Sequence, residues 1–118
     1  MIRLWLAIAG LGGAASVVAG ALAAHLADDP KAAELLRTGA LYGMVHAAAL
    51  LAVVAIGTRR IAVRVAGWSF AAGIVLFSGS LFALAAGGPR WPGWMTPFGG
   101  VALIVGWAAL ATLAVHRR

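Results

Sequence analysis

The sequence predicts an all-α integral membrane protein: an antiparallel bundle of four transmembrane helices forming a single domain over residues 1–118. Three observations carry that prediction. Hydrophobic residues make up 64% of the chain and charged residues only 10%, with a mean hydropathy of +1.00, where an ordinary soluble domain carries about 25% charge. Four segments approach the ~20 apolar residues that cross a bilayer. The charges lie between those segments and not within them.

The first span, residues 4–27, would rise ~36 Å as a helix, enough for a ~30 Å hydrocarbon core with modest tilt. Arg3 ahead of an apolar run, with small residues near Ala21 and Ala23, also suits a signal peptide. Signal cores run only ~7–15 residues, however, and an uncleaved helix is the better reading. Gly12, Ser16, Gly20 and Ala24 form an i, i+4 ladder of small residues on this helix, a surface on which helix backbones cross closely.

In the following loop, DDPKAAELLRTG, Asp29 is a fair N-cap and Pro30 suits a first helical position. Ala32, Leu35 and Leu36 share a face, which predicts a short amphipathic helix on the membrane surface. The second span, residues 39–57, carries Gly39, Tyr42, Gly43, His46, Leu50 and Val53 on one stripe. The third, residues 65–86, brings Ser69, Gly73 and Ser80 near one line. The loop GGPRWPGWMTP is expected to be irregular, with Trp91 and Trp94 at the membrane interface. In the fourth span, residues 98–115, Thr96 is expected to cap the helix, Pro97 to take its first position, and Gly99 and Gly100 to permit close crossing. Gly67 and Gly106 each precede a tryptophan, a weak internal echo.

The net charge of +6 does not indicate nucleic acid, because a basic face requires cations gathered on one exposed element. It indicates orientation instead. Arg3, Arg59, Arg60, Arg64, Arg117 and Arg118 fall on one side of a four-span path with no acid beside them. Lys31, Arg37 and Arg90 share the other side with Asp28, Asp29 and Glu34. Positive loops stay inside, so both termini are expected to be cytoplasmic in a multi-pass bacterial inner-membrane protein.

Candidate chemistry centres on His46, an ionisable residue deep in an apolar span and so a functional hypothesis by default. Counted from the expected helix ends, His46 and Ser80 both lie ~10 Å down, and Tyr42 points the same way one turn above. His46, Tyr42 and Ser80 are therefore expected as a buried polar cluster, either a hydrogen-bonded neutral imidazole or a proton or ligand site. His25, Asp28 and Asp29 form a second polar group at the outer end. A haem would need ligands on facing helices at matching depth, which His25 and His46 do not offer. A zinc site would need a third ligand, for which only Asp28 or Asp29 is at hand. Neither cofactor nor metal is expected. Ser78 and Ser80 lack the elbow and the base of a serine nucleophile, and His116 suits a solvated interfacial position.

Four stretches in order, AAH at 23–25, TGALYGMVHAAALL at 38–51, FSGSLFALAAG at 77–87 and TPFGGVALIVGWAAL at 96–110, resemble the YgdD/YwdK-like family of small membrane proteins. The resemblance implies an architecture rather than a reaction, since that family is defined by a domain of unknown function. It implies His25, Thr38, Gly39, Tyr42, His46, Phe77, Ser78, Gly79, Ser80, Thr96, Pro97, Gly99, Gly100, Gly106 and Trp107 as motif positions, with Ala24 where the family usually has glycine. The expected function is non-enzymatic, through lateral helix contacts with a membrane-protein partner or a second copy in the lipid bilayer, as an accessory or assembly subunit of a larger complex. The alternative is a small channel or transporter using His46, Tyr42 and Ser80.

Overall fold

In a computed structural model, which describes residues 1–25 and 27–115, the chain is helical throughout its ordered elements, with no strand among the described residues. The order is α1 (Ile2–His25), α2 (Pro30–Ile56), α3 (Ile61–Gly73), a π-helical segment (Ile74–Ser78), α4 (Gly79–Ala85), a 3-10 turn (Trp91–Trp94) and α5 (Met95–Thr112). Four stretches are long and apolar enough to cross a membrane: α1, α2, the continuous run Ile61–Ala85, and the run Trp91–Thr112. Arg117 and Arg118, invoked above for orientation, and His116, expected at the interface, lie outside the described residues.

The path runs up, down, up, down. Gly13 lies against Ala47 and Gly20 against Ala40, so numbering falls along α2 as it rises along α1. Gly39 meets Leu81 and Phe82 while Gly43 meets Ser78, so α2 and the third span are also antiparallel. Phe70 lies against Gly106 and the backbone at Phe77 against Gly99, which makes the third span and α5 antiparallel too. Trp5 beside Gly67 and Gly12 beside Ile74 show α1 and the third span running parallel. Arg3, the α2–α3 loop with Arg59 and Arg60, and Arg64 in the first turns of α3 thus share one end of the bundle. Asp28, Asp29, Lys31, Glu34 and Arg90 share the other.

Small residues set these crossings, because lipid offers no hydrophobic drive for helix association and close backbone contact must supply it. At Gly99 the approach is to backbone: a Cβ there would run into the peptide between Leu76 and Phe77. The core reads Trp5, Ala9, Ala47, Leu50, Val53, Val63, Ala66, Phe70, Ala71, Ile74 and Leu103. On α1 the expected ladder holds at Gly12, Ser16 and Gly20 but not at Ala24, which is exposed, while Ala19 and Ala23 are buried. A stripe at 3.6 residues per turn drifts off a strict four-residue ladder.

Two expectations are corrected. The surface helix is not a separate element. Asp29 caps and Pro30 opens α2 as anticipated, with Asp29 Oδ1 accepting from the Lys31 N–H at 3.1 Å, but the helix then continues through Thr38 and Gly39 to Ile56. Alanine, leucine, glutamate and arginine favour that continuation, and one glycine costs only ~1 kcal/mol. At 27 residues the helix is ~40 Å long, longer than the hydrocarbon core, so its first turns extend past the core or the helix tilts. The second correction is at Thr96, which is not a cap. The 3-10 turn leads straight into α5 at Met95, and the Thr96 hydroxyl lies in the first turn, 2.6 Å from Ser80 Oγ.

Candidate functional site

His46 is buried at mid-helix in α2, and both of its ring nitrogens are engaged. Nδ1 lies 2.7 Å from the Tyr42 carbonyl oxygen, and Nε2 lies 2.9 Å from Trp107 Nε1 on α5. A carbonyl can only accept and an indole N–H can only donate. These partners fix the ring as the neutral tautomer that carries its proton on Nδ1, since an imidazolium would direct a second N–H at the indole N–H. The bond from Trp107 joins α2 and α5 across a side of the bundle where the two helices barely touch otherwise.

Aromatic rings surround this clasp. His46 and Tyr42 stack with ring centroids 6.0 Å apart, Tyr42 meets Phe77 at 4.9 Å, and Phe70 meets both His46 at 5.6 Å and Trp107 at 5.0 Å. Gly106 makes the arrangement possible, because a Cβ there would collide with the Phe70 ring. Outside the clasp a notch of about 330 Å³ lies between α2 and α5, lined by Tyr42, His46, Phe77, Gly100, Leu103, Ile104 and Trp107. Tyr42 and Trp107, at 43% and 46% exposure, form its rim. It can receive an apolar or aromatic group arriving from the side.

The predicted polar cluster is only partly assembled. Tyr42 does lie one turn from His46, but its backbone carbonyl makes the bond. Ser80 is not at the level of His46: its hydroxyl bonds to Thr96 at 2.6 Å and donates to the Phe77 carbonyl at 2.9 Å. Two causes displaced it. Because α2 continues above Gly39, Gly39 is deeper than supposed and faces Leu81 and Phe82. The π-helical segment also takes an extra residue into one turn, with the Gly79 N–H reaching back to the Ile74 carbonyl, which shifts every later residue around the axis. Ser78 instead faces α2, and its hydroxyl donates to the Gly39 carbonyl at 2.8 Å. Ser16, fully buried against Gly43, donates to the Gly12 carbonyl at 2.7 Å. Gly73 packs on Leu103 and Gly100 on the Phe77 ring. His25 is exposed at the end of α1, and no group of three potential metal ligands occurs among the described residues. Trp107 as the partner of His46 and Thr96 as the partner of Ser80 do not follow from the sequence pattern. The Gly–Trp pair at 106–107 was the available signal for the first.

Residues 19–100 match the family described as "Protein of unknown function (DUF423)". The chain belongs to the DUF423 family. A relative named "UPF0382 membrane protein" from Haemophilus influenzae is 39% identical over 112 residues, covering 91% of this chain and 90% of its own. The "UPF0382 membrane protein YwdK" of Bacillus subtilis is 38% identical over 102 residues, 81% and 83% of the two chains. The "UPF0382 inner membrane protein YgdD" of Escherichia coli K12 is 37% identical over 120 residues, 97% and 91%. No solved structure matches. Like these DUF423 relatives, the chain is a small membrane protein, and its four apolar helices accord with their names.

Proposed function

We propose that this DUF423 protein is a non-enzymatic, multi-pass inner-membrane protein that acts by lateral contact, as an accessory or assembly subunit of a larger membrane complex, with both termini cytoplasmic. The observation that carries this reading is the unequal burial of its spans. Of the α2 span 44% is buried within the bundle, but of α1 only 22% and of the run containing α5 only 17%. Phe98, Val101, Ile104 and Val105 face outward on α5 beside the notch, and the Trp107–His46 bond holds that helix in place. A helix buried so little, yet fastened by a specific polar bond, offers a defined surface to a neighbouring span. The orientation rests on Arg3, Arg59, Arg60 and Arg64 at one end against a balanced set at the other, and the inner membrane on the naming of the Escherichia coli relative.

The same geometry supports lateral contact over transport. A proton relay needs partners that exchange protons with the ring, whereas the nitrogens of His46 face a backbone carbonyl and an indole N–H, and the acidic residues Asp28, Asp29 and Glu34 all lie at one end of the bundle. The test is site-specific photocrosslinking in native membranes. A benzophenone side chain at Ile104 is expected to give discrete protein adducts, and one at Val17 on the outer face of α1 to give none. Lipid-only labelling at both positions would overturn the reading.

A further inference from the structure

A second cavity lies at the end of the bundle where α1 finishes, and it differs from the notch in kind. It measures about 670 Å³ and opens between the first turns of α2 and the loop after α4, lined by Lys31, Leu35, Leu84, Gly87, Gly88 and Arg90. Gly87, at φ 81°, turns the chain after α4 through the left-handed region open to glycine. Two cations from separate elements thus flank one cleft, with two leucines beside them. The described lining holds two cations and no acid, while Asp29, whose Oδ1 accepts from the Lys31 N–H, caps α2 beside it and keeps its charge. The end as a whole is balanced, but the lining of the cleft is basic.

We infer that this cleft binds the phosphate of an anionic phospholipid. Lys31 supplies a mobile point charge and Arg90 a planar fork that fits a phosphate through two N–H bonds. Leu35 and Leu84 give the glycerol and upper acyl carbons an apolar seat, which inorganic phosphate would not use. The depth fits as well: Trp91 and Trp94, next along the chain from Arg90, are both exposed, and such rings settle at the headgroup level. Basic side chains at the headgroup level are attracted to anionic lipid. This site is independent of the notch and of the proposed lateral role.

The test uses the full chain in neutral detergent, titrated with short-chain phosphatidylglycerol, phosphatidylcholine or inorganic phosphate and followed by tryptophan fluorescence. Phosphatidylglycerol is expected to bind and phosphatidylcholine not. Lys31→Gln and Arg90→Gln should each weaken binding about tenfold. Lys31→Arg should retain it, and the Arg59→Gln, Arg60→Gln pair at the other end should leave it unchanged. Binding that survives the Lys31→Gln, Arg90→Gln double variant, or that falls equally with the Arg59 and Arg60 changes, would overturn the site. Equal competition by inorganic phosphate would overturn the lipid as its source.

Discussion

Two indole rings pack against glycines of Gly–Trp pairs or belong to one, and they end differently. Trp107 follows Gly106, stays half open to the lipid, and donates its N–H to His46. Trp5 lies over Gly67, whose missing Cβ makes room for its ring, and meets Trp68 edge-on at 5.6 Å. Trp5 is fully buried, and its Nε1 has no hydrogen-bond partner among the described residues. One indole therefore joins helices through a polar bond, whereas the other does so through shape alone and carries an unpaired donor. In a bundle held by close packing, the shape contact contributes more stability and the polar bond more specificity.

Substitutions at the two indoles and their seats test that contrast. Gly67→Leu should have the largest effect, since its side chain would occupy the space of the Trp5 ring in a site without slack. A loss of about 3 kcal/mol or more is expected, read as unfolding in bicelles by steric trapping. Trp107→Phe should cost less, about 0.6–2 kcal/mol, the range for a hydrogen bond between membrane helices. The ring there is half exposed, so little void follows, and the same assay measures the change. Ser78→Ala removes the bond to the Gly39 carbonyl and should cost about 0.6 kcal/mol, because that carbonyl keeps its place in the α2 ladder.

Trp5→Phe should have the smallest effect. The void it leaves is opposed by relief of an unpaired buried N–H, which costs about 1–3 kcal/mol. A net change within about 1 kcal/mol of zero is expected on thermal unfolding in mild detergent. If Gly67→Leu destabilises less than Trp107→Phe, the contrast between shape and polar bond fails.

Much of the fold was legible because bilayer thickness converts composition into helix count. Sixteen glycines in so apolar a chain marked contact surfaces, and Gly12, Gly39, Gly43, Gly73 and Gly99 do sit at helix crossings. Depth was not legible. Periodicity assumes 100° per residue, and the π-helical segment breaks that count between Gly73 and Ser80 with no proline or polar run to announce it. The continuation of α2 above Gly39 then moved the reference level from which His46 and Ser80 had been compared. The His46–Trp107 bond spans 61 positions, and no local pattern reports such a pairing. The capping of α2 by Asp29 was readable because its signal lies within three residues.

His46, engaged at both ring nitrogens, clasps α2 to α5 as a neutral imidazole. Nitrogen-15 solid-state NMR of histidine-labelled protein in lipid bilayers tests it most directly. One imidazole with a protonated Nδ1 and an unprotonated Nε2 is expected, the latter correlated with the Trp107 indole proton and altered by Trp107→Phe. A doubly protonated His46, or a proton on Nε2, would contradict it.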